Sequence, residues 1–454
     1  MWRRILAASA LALAALVSGW PPARAQAPAA APAGQPIEIQ FWHGLGPPAG
    51  GQLEQIVADF NASQAKYKVV PSFRGSYPET VVAAIAAFRA STAPHIVQMF
   101  EVGTGTMMSA GRAVKPLHEI IAESGVAIDT RDFIGPVAGY YSSADGKMMA
   151  LPFNSSTAIA FYNKDMFQRA GLDPNAFSAT WQGVEEAARK LKAAGIACPI
   201  GTSWPSWVMV EQLLAIHDVP LASRSNGFEG LNAELNLTNP LMVRHMTNLV
   251  NWQKEGLFRY GGRDAAGDPL FPSGECAIAF GSSGLRGRIE REARFQWGAA
   301  MLPFYEGTAP RNSIIGGAAL WSMNRGPNAT RSAEEWRGVA EFFRYITSPP
   351  VMAKWHQDTG YVPVTRAAYE LSRSQNYYAR NTGADVPIEQ MLRGGDPTPN
   401  SRGIRLGGFI EIRNIIQEEM ERAFQGQVTP EQALASMNTR GNQVLRNFER
   451  TNRN

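Results

Sequence analysis

Strand-like and helix-like segments alternate along the first third of the chain, and this order limits the possible folds more than any other feature. Residues 37–42 alternate apolar and polar side chains, as strands do, while apolar residues between 53 and 60 recur with helical spacing. A strand is predicted again at 67–73, a helix at 81–88 and a third strand at 96–100. A β-α-β-α-β order predicts a parallel sheet covered by helices.

The alternation resumes after residue 150. Predicted strands and helices follow one another to the end of the chain: strands at 158–162, 276–280 and 299–304, and helices at 181–194, 242–252, 336–346 and 434–448. We therefore predict an α/β protein with two lobes. Each lobe is expected to be a mostly parallel sheet flanked by helices, with a ligand cleft between the lobes.

Short polar sequences follow several of the predicted strands. They are RGSY at 74–77, EVG at 101–103, NSS at 154–156 and SSG at 282–284. Ligands of open α/β sheets bind outside the carboxyl ends of the strands. We therefore expect these four sequences to contribute to the cleft.

The first 35 residues are predicted to be a targeting segment and a linker. Two arginines precede an apolar run at 5–17, and Ala23-Arg24-Ala25 provides a cleavage site, so 1–25 reads as a signal peptide. A membrane anchor is the alternative, but the run is shorter than the ~20 apolar residues that span a bilayer. Residues 26–35 are rich in Ala and Pro, which predicts a flexible tether. No cysteine follows the apolar run, so we predict a periplasmic protein without a lipid anchor.

The net charge and the two cysteines limit which partners and which cellular compartment are expected. Removing the three arginines of 1–25, a segment with no acidic residue, lowers the net charge from +4 to +1. The basic residues are scattered, so a nucleic acid partner is not expected. The two cysteines, Cys198 and Cys276, form one disulfide or remain two buried thiols, and an oxidising compartment favours the disulfide.

The sequence offers little catalytic chemistry. None of the six histidines is spaced from another, or from a cysteine, as metal ligands are. No phosphate-binding loop motif is present, and GSSG at 281–284 does not match the nucleophile elbow of hydrolases. We predict no catalytic residues, no metal and no cofactor. Trp204 and Trp207 are either an aromatic wall of the cleft, suited to polyol C–H faces, or an ordinary core pair.

Several sequence strings resemble a known family. FYNKD at 161–165 and GGAALW at 316–321 are similar to the maltose-type extracellular solute-binding proteins of ABC importers. Further strings resemble the branch of that family that binds sn-glycerol 3-phosphate: FWH at 41–43, GSY at 75–77, IAAFR at 85–89, EVGT at 101–104, PFNSST at 152–157, IIGG at 314–317, WHQDTGY at 355–361, IRLG at 404–407 and IR at 412–413.

The resemblance implies a set of ligand-binding residues. The phosphate is expected to bind hydroxyl groups, one backbone amide and one arginine, at Tyr77, Ser156, Ser282, Gly317, Tyr361 and Arg413. The glycerol hydroxyls are expected to meet Glu101 and the walls formed by Trp204 and Trp207. The choice of Ser282 over Ser283 remains open.

The resemblance also implies the two-lobed periplasmic binding protein fold, the domain organisation and the partners. Lobe one is expected at 36–152 plus 308–347, and lobe two at 153–307 plus 348–454. The protein is expected to act as a monomer that delivers glycerol 3-phosphate, or a diester such as glycerophosphocholine, to an ABC permease with two transmembrane subunits and ATPase subunits. The alternatives are a neutral-oligosaccharide binder of the maltose type and a secreted phosphodiesterase or glycoside hydrolase. Monoester and diester ligands are not distinguished.

Arg413 lies in the otherwise apolar sequence FIEIRNII. Its side chain is therefore expected to meet either a salt-bridge partner, such as Glu411 or Glu418, or an anion in the cleft. If the anion is the partner, replacing Arg413 should weaken binding and cost the free protein little stability, because the guanidinium would be hydrated in the open cleft.

Overall fold

The computed structural model describes residues 34–452, so the predicted signal peptide and most of the predicted tether lie outside the described residues. Eleven strands are present between residues 34 and 452. They are β1 (Ile37–His43), β2 (Tyr67–Phe73), β3 (Ile96–Phe100), β4 (Val114–Lys115), β5 (Leu151–Ser156), β6 (Ala158–Asn163), β7 (Cys198–Thr202), β8 (Phe258–Tyr260), β9 (Cys276–Ser282), β10 (Trp297–Ala300) and β11 (Gly316–Met323).

The strands form two separate sheets. The first has the order β2-β1-β3-β11-β4, with β5 also paired to β11, and the second has the order β10-β6-β9-β7-β8. β1 runs parallel to β2 and β3, and β7 runs parallel to β8 and β9. The pairings of β11 and of β6 are antiparallel. The sheets are thus mixed, and the expected parallel arrangement holds for the three strands at one side of each.

Helices cover both sheets. They are α1 (Ala49–Ser63), α2 (Tyr77–Arg89), α3 (Thr104–Met108), α4 (Leu117–Ser124), α5 (Gly135–Tyr140), α6 (Lys164–Arg169), α7 (Trp181–Ala193), α8 (Leu213–Ile216), α9 (Ser223–Gly227), α10 (Pro240–Lys254), α11 (Arg286–Glu292), α12 (Ala333–Ile346), α13 (Pro349–Thr359), α14 (Arg366–Ser374), α15 (Tyr377–Arg380), α16 (Val386–Leu392), α17 (Phe409–Phe424) and α18 (Pro430–Asn452). None of the described helices is long and apolar enough to cross a bilayer.

Local sequence signals explain where the helices begin. α2 starts after Ser76, whose side chain and that of Glu79 form a capping box that satisfies otherwise unpaired N–H groups. α12 starts in the same way, with Ser332 and Glu335. The apolar face of α12 is buried, so the helix is held by packing as well as by its cap.

The chain passes between the sheets at two points that contact each other. Thr157 is the single residue between β5 of the first sheet and β6 of the second, and its hydroxyl lies 2.7 Å from Ser313 Oγ and 2.8 Å from the Ile314 carbonyl oxygen. Ile314 also exchanges two hydrogen bonds with the Gln212 amide. Hydrogen bonds therefore hold together the two segments, at Thr157 and at Ser313–Ile314, that connect one sheet with the other.

Two expectations from the sequence have clear outcomes here. Cys198 and Cys276 form a disulfide, and they lie opposite each other in the neighbouring parallel strands β7 and β9. The strand predicted at 299–304 was placed too late, because β10 covers Trp297–Ala300. The residues after it follow an irregular path, and their strand-like pairing is limited to an isolated bridge between Thr180 and Phe304.

Candidate ligand-binding site

One cavity of ≈610 Å3 is lined by every residue that the sequence nominated for ligand binding. The size is within the range of about 300–1,000 Å3 that is usual for small-ligand pockets. These residues are far apart in sequence, and they come from the ends of strands of both sheets and from α2, α17 and loops: Tyr77, Glu101, Ser156, Trp204, Trp207, Ser282, Gly317, Tyr361 and Arg413. The folded chain therefore brings all nine together.

A chain of amide hydrogen bonds orients the Tyr77 hydroxyl. The Gly44 N–H donates to Gln98 Oε1 (2.9 Å), Gln98 Nε2 donates to Asn154 Oδ1 (2.8 Å), and Asn154 Nδ2 donates to Tyr77 Oη (2.8 Å). The Tyr77 oxygen accepts from Asn154, and its hydroxyl also interacts with that of Tyr361, so the two phenols lie side by side in the lining. Burial raises the pKa of Tyr77 well above its usual value, which keeps its proton on the oxygen.

Three other side chains add neutral donors to the same lining. Tyr361 is stacked on Trp355 with an interplanar angle of 9°, and burial raises the pKa of its phenol. Ser156 ends β5, and Ser282 ends β9. Ser283, the alternative to Ser282, is buried and does not line the cavity. The set consists of groups that donate hydrogen bonds without bringing a formal charge into the cavity.

Two glycines at the start of β11 bring backbone close to the cavity. Gly317 has φ +81°, and a Cβ there would lie 1.9 Å from the Asn154 carbonyl oxygen. A Cβ at Gly316 would lie 2.3 Å from the Trp207 ring. Both positions therefore need glycine, one for its backbone conformation and one for the approach of the indole.

Trp204 and Trp207 line the cavity and also pack with the hydrophobic core, so they have features of both predicted alternatives. The Trp204 ring lies 6.4 Å from the Tyr77 ring, centroid to centroid. Trp207 is almost fully buried and also packs within the core, and its indole N–H has no hydrogen-bond partner among the described residues. The two indoles thus offer apolar faces to the cavity, while the N–H of Trp207 is itself sealed from solvent.

Arg413 does not pair with either partner expected from the sequence. Its Nε and Nη2 donate to the two carboxylate oxygens of Glu211 (2.6 and 2.7 Å), and Nη2 also donates to Glu101 Oε1 (2.5 Å). Glu418 pairs instead with Arg440 (2.7 Å). Arg413 is 5% exposed, so the expectation of a hydrated guanidinium in an open cleft was wrong for this structure.

The three charges strongly affect one another. Burial disfavours the charged guanidinium, but Glu101 and Glu211 outweigh it, so the pKa of Arg413 lies above its usual value. Burial raises the pKa of Glu101, opposed by the charge of Arg413 and reinforced by that of Glu211. Glu211 is buried behind the cavity lining. With both carboxylates ionised, the group has a net charge of −1.

Sequence reasoning missed Glu211 and a group of charged residues in the loop after β8 and in α11. Arg263, Asp264, Asp268 and Arg288 all line the cavity. Burial raises the pKa of Asp268 to about 6, although a hydrogen bond from Ser203 and the charge of Arg288 oppose the shift. The loop after β8 follows the carboxyl end of a parallel strand, so recognition of β8 would have indicated these residues.

The described residues contain no group of three or more His, Cys, Asp or Glu side chains that could hold a metal ion. Of the acids that line the cavity, Glu101 is buried and Asp268 is half-buried. The lining therefore combines neutral donors, an arginine held between carboxylates, two indole faces and the charged residues of the loop after β8 and of α11.

Residues 55–382 match the bacterial extracellular solute-binding proteins, and the chain belongs to this family. It is 42% identical over 419 residues to the sn-glycerol-3-phosphate-binding periplasmic protein UgpB of Yersinia pseudotuberculosis, covering 92% of this chain and 94% of that one. The resemblance deduced from the sequence strings is confirmed.

Solved structures show the same fold. The structure of UgpB from Mycobacterium tuberculosis in complex with glycerophosphocholine has a TM-score of 0.73 and 22% identity, covering 91% of this chain and 98% of that one. The GacH receptor of Streptomyces glaucescens, solved unliganded and with acarbose, has a TM-score of 0.74 and 16% identity, covering 91% and 99%. Both are two-lobed solute-binding proteins, which confirms the predicted two-lobed α/β fold class.

Proposed function

We propose that this protein is the solute-binding component of an ABC importer, and that it captures glycerol 3-phosphate or a glycerophosphodiester. The observation that supports this most is the convergence of the nine predicted residues on one cavity. A relative with 42% identity is named for binding glycerol 3-phosphate, and a structural neighbour was solved with glycerophosphocholine.

The chemistry of the lining suits such a ligand. Phosphate oxygens accept hydrogen bonds, and the hydroxyls of Tyr77, Tyr361, Ser156 and Ser282 can donate them, as can the Gly317 backbone N–H. Neutral donors fix an anion in place without the cost of burying further charges. The indole faces of Trp204 and Trp207 suit the C–H surface of a glycerol unit.

The proposed mechanism is ligand-stabilised closure. Lobe one (36–152 plus 308–347) and lobe two (153–307 plus 348–454) are proposed to move about the crossings at Thr157 and Ile314. β5 pairs with β11 in the first sheet up to Ser156, so the change of sheet falls a few residues after the proposed boundary at 152. A ligand that contacts both lobes favours the closed form, and a permease with two transmembrane subunits and ATPase subunits would recognise that form.

We also propose export by cleavage after residue 25, without lipid attachment. Both cysteines of the chain are joined in the disulfide between β7 and β9, so no thiol is left to be acylated. The protein is proposed to act as a monomer. It is also proposed to leave its ligand chemically unchanged, because the described residues of the cavity lining include no paired nucleophile and base. A hydrolase would need a metal or a positioned pair of carboxylates, and Glu101 is occupied by Arg413.

The experiment is a calorimetric titration of the mature protein with glycerol 3-phosphate, glycerophosphocholine, inorganic phosphate, glycerol and maltose. Binding of the first two, with little binding of the others, is expected. Tight binding of maltose alone would favour the neutral-oligosaccharide alternative. Steady release of glycerol or choline, abolished in Glu101→Gln, would show that the protein is a hydrolase.

A further inference from the structure

The group formed by Glu211, Arg413 and Glu101 presents two unused polar atoms to the cavity. Arg413 uses Nε and both hydrogens of Nη2 in its bonds to the carboxylates, so Nη1 keeps two N–H groups with no partner among the described residues. Glu101 accepts from Arg413 at Oε1 and interacts with its own backbone N–H, and no side chain of the described residues donates to its Oε2, which can still accept a hydrogen bond. Arg413 and Glu101 both line the cavity, and neither unused atom is sealed from it.

A donor beside an acceptor matches a hydroxyl group, which can accept from Nη1 and donate to Oε2 at the same time. A phosphate oxygen without a proton can only accept, so it would face Glu101 Oε2 as an unpaired like charge. The net charge of −1 on the three residues adds to that repulsion, because buried charges are poorly screened. The neutral donors at Tyr77, Tyr361 and Ser156 have no such conflict with phosphate.

Glu211 controls which atoms of Arg413 are left free. It holds Nε and Nη2 in a two-bond fork, the planar geometry that a carboxylate and a guanidinium share. Glu211 is on a π-helical segment, Trp207–Gln212, one turn from Trp207 of the cavity wall. Without the fork, the guanidinium would be free to rotate and offer its paired N–H groups to phosphate.

We propose that Glu211 is a specificity-determining positioning residue, and that it holds Arg413 against Glu101 so that these two side chains bind the ligand's glycerol hydroxyls and exclude its phosphate. This inference rests on the proposed function. It changes the role that the family resemblance gave to Arg413, from the phosphate to the diol, and it leaves the phosphate to the neutral donors.

The test compares glycerol 3-phosphate with propyl phosphate, which has the same phosphate group and no hydroxyls. A site built to hydrogen-bond hydroxyls rejects an analogue that lacks them, so the wild-type protein should prefer glycerol 3-phosphate by about 100-fold or more. In Glu211→Gln the dissociation constant for glycerol 3-phosphate should rise about tenfold or more, while that for propyl phosphate stays equal or falls. The preference should therefore shrink, and calorimetry measures both constants.

Two further variants keep the result interpretable. Glu101→Gln retains the fork between Arg413 and Glu211 and should shrink the preference in the same way, so it serves if Glu211→Gln does not fold. Tyr361→Phe removes one neutral donor and should weaken both ligands by the same factor, leaving the preference unchanged. Thermal unfolding of each variant separates folding defects from changed recognition.

The proposal is overturned if Glu211→Gln and Glu101→Gln weaken both ligands equally, because that would assign the group to the phosphate or to folding alone. An unchanged affinity for both ligands in Glu211→Gln would also overturn it. Failure of the proposed function looks different, since the wild-type protein would then bind neither glycerol 3-phosphate nor glycerophosphocholine.

Discussion

Replacing Arg413 by Ala should destabilise the free protein strongly. The substitution leaves Glu101 and Glu211 in place, with side chains that are only 8% and 1% exposed. Removing one partner from a buried ion pair costs about 3–5 kcal/mol, because the remaining charge is neither solvated nor compensated. Here two carboxylates lose the same partner, so the free energy of unfolding at pH 7.5 should fall by about 3–5 kcal/mol.

The loss of unfolding free energy in Arg413→Ala should increase as the pH rises. Burial already raises the pKa of Glu101, and without the opposing charge of Arg413 its folded-state pKa should rise further above its value in the unfolded chain. A group with a raised folded-state pKa stabilises the fold below its unfolded pKa, and that contribution is lost as the pH rises through the folded pKa. The difference between Arg413→Ala and wild type should therefore be small near pH 4 and largest above pH 7.

The assay is equilibrium unfolding by denaturant at pH 5 and pH 7.5. Arg373→Ala is a suitable control, because its ion pair with Glu370 is exposed and should contribute ~1 kcal/mol or less. A triple variant with Arg413→Met, Glu101→Gln and Glu211→Gln should recover part of the lost stability, since no buried charge remains. If Arg413→Ala lowers the free energy of unfolding by less than about 1 kcal/mol, with no dependence on pH, then Arg413 does not stabilise the buried charges of Glu101 and Glu211.

Three more predictions follow from single features. The disulfide closes a loop with a sequence separation of 78, so Cys198→Ala with Cys276→Ala should lower the free energy of unfolding by about 4–5 kcal/mol; equal melting temperatures of the oxidised and reduced wild type would contradict this. Gly317→Ala should weaken glycerol 3-phosphate binding at least about tenfold in calorimetry, because the added Cβ meets the Asn154 carbonyl oxygen and φ is +81°; unchanged affinity would show that this backbone is not needed. The pKa of Asp268 is raised to about 6, so Asp268→Asn should raise the free energy of unfolding at pH 7.5 by up to about 3 kcal/mol and change it little near pH 4; a benefit confined to low pH would mean that the shift has the opposite sign.

The sequence predicted much of the fold because the strands β1, β2 and β3 and the helices between them have clear periodicity. It failed to indicate β5 and β7, whose residues are all buried and include Pro, Asn, Ser or Gly, which are poor strand formers. It also failed to indicate that β11 runs antiparallel between β3 and β4, because pairing between distant segments leaves no local pattern.

The site was predicted by resemblance, while its charge balance was not. The pattern that drew attention to Arg413, an ion in an apolar sequence, is also present at Glu211 in WVMVEQLLAI. Reading both sequences together would have suggested that they are partners. That Glu101 joins them depends on the packing of α17 beside the end of β3, which no spacing in the sequence reveals.

The cavity residues are far apart in sequence, and this determines the order in which the parts of the site can form during synthesis. Synthesis proceeds from the amino end, so Tyr77 and Glu101 are made long before Arg413. For the same reason, β5 cannot complete its strand pairing until β11 has been synthesised. α17, which contains Arg413, packs against α18. A nascent chain that stops before residue 409 would hold Glu101 and Glu211 without their cation. Ligand binding therefore cannot assist the early steps of folding, and the ligand can stabilise only a chain whose synthesis is nearly complete.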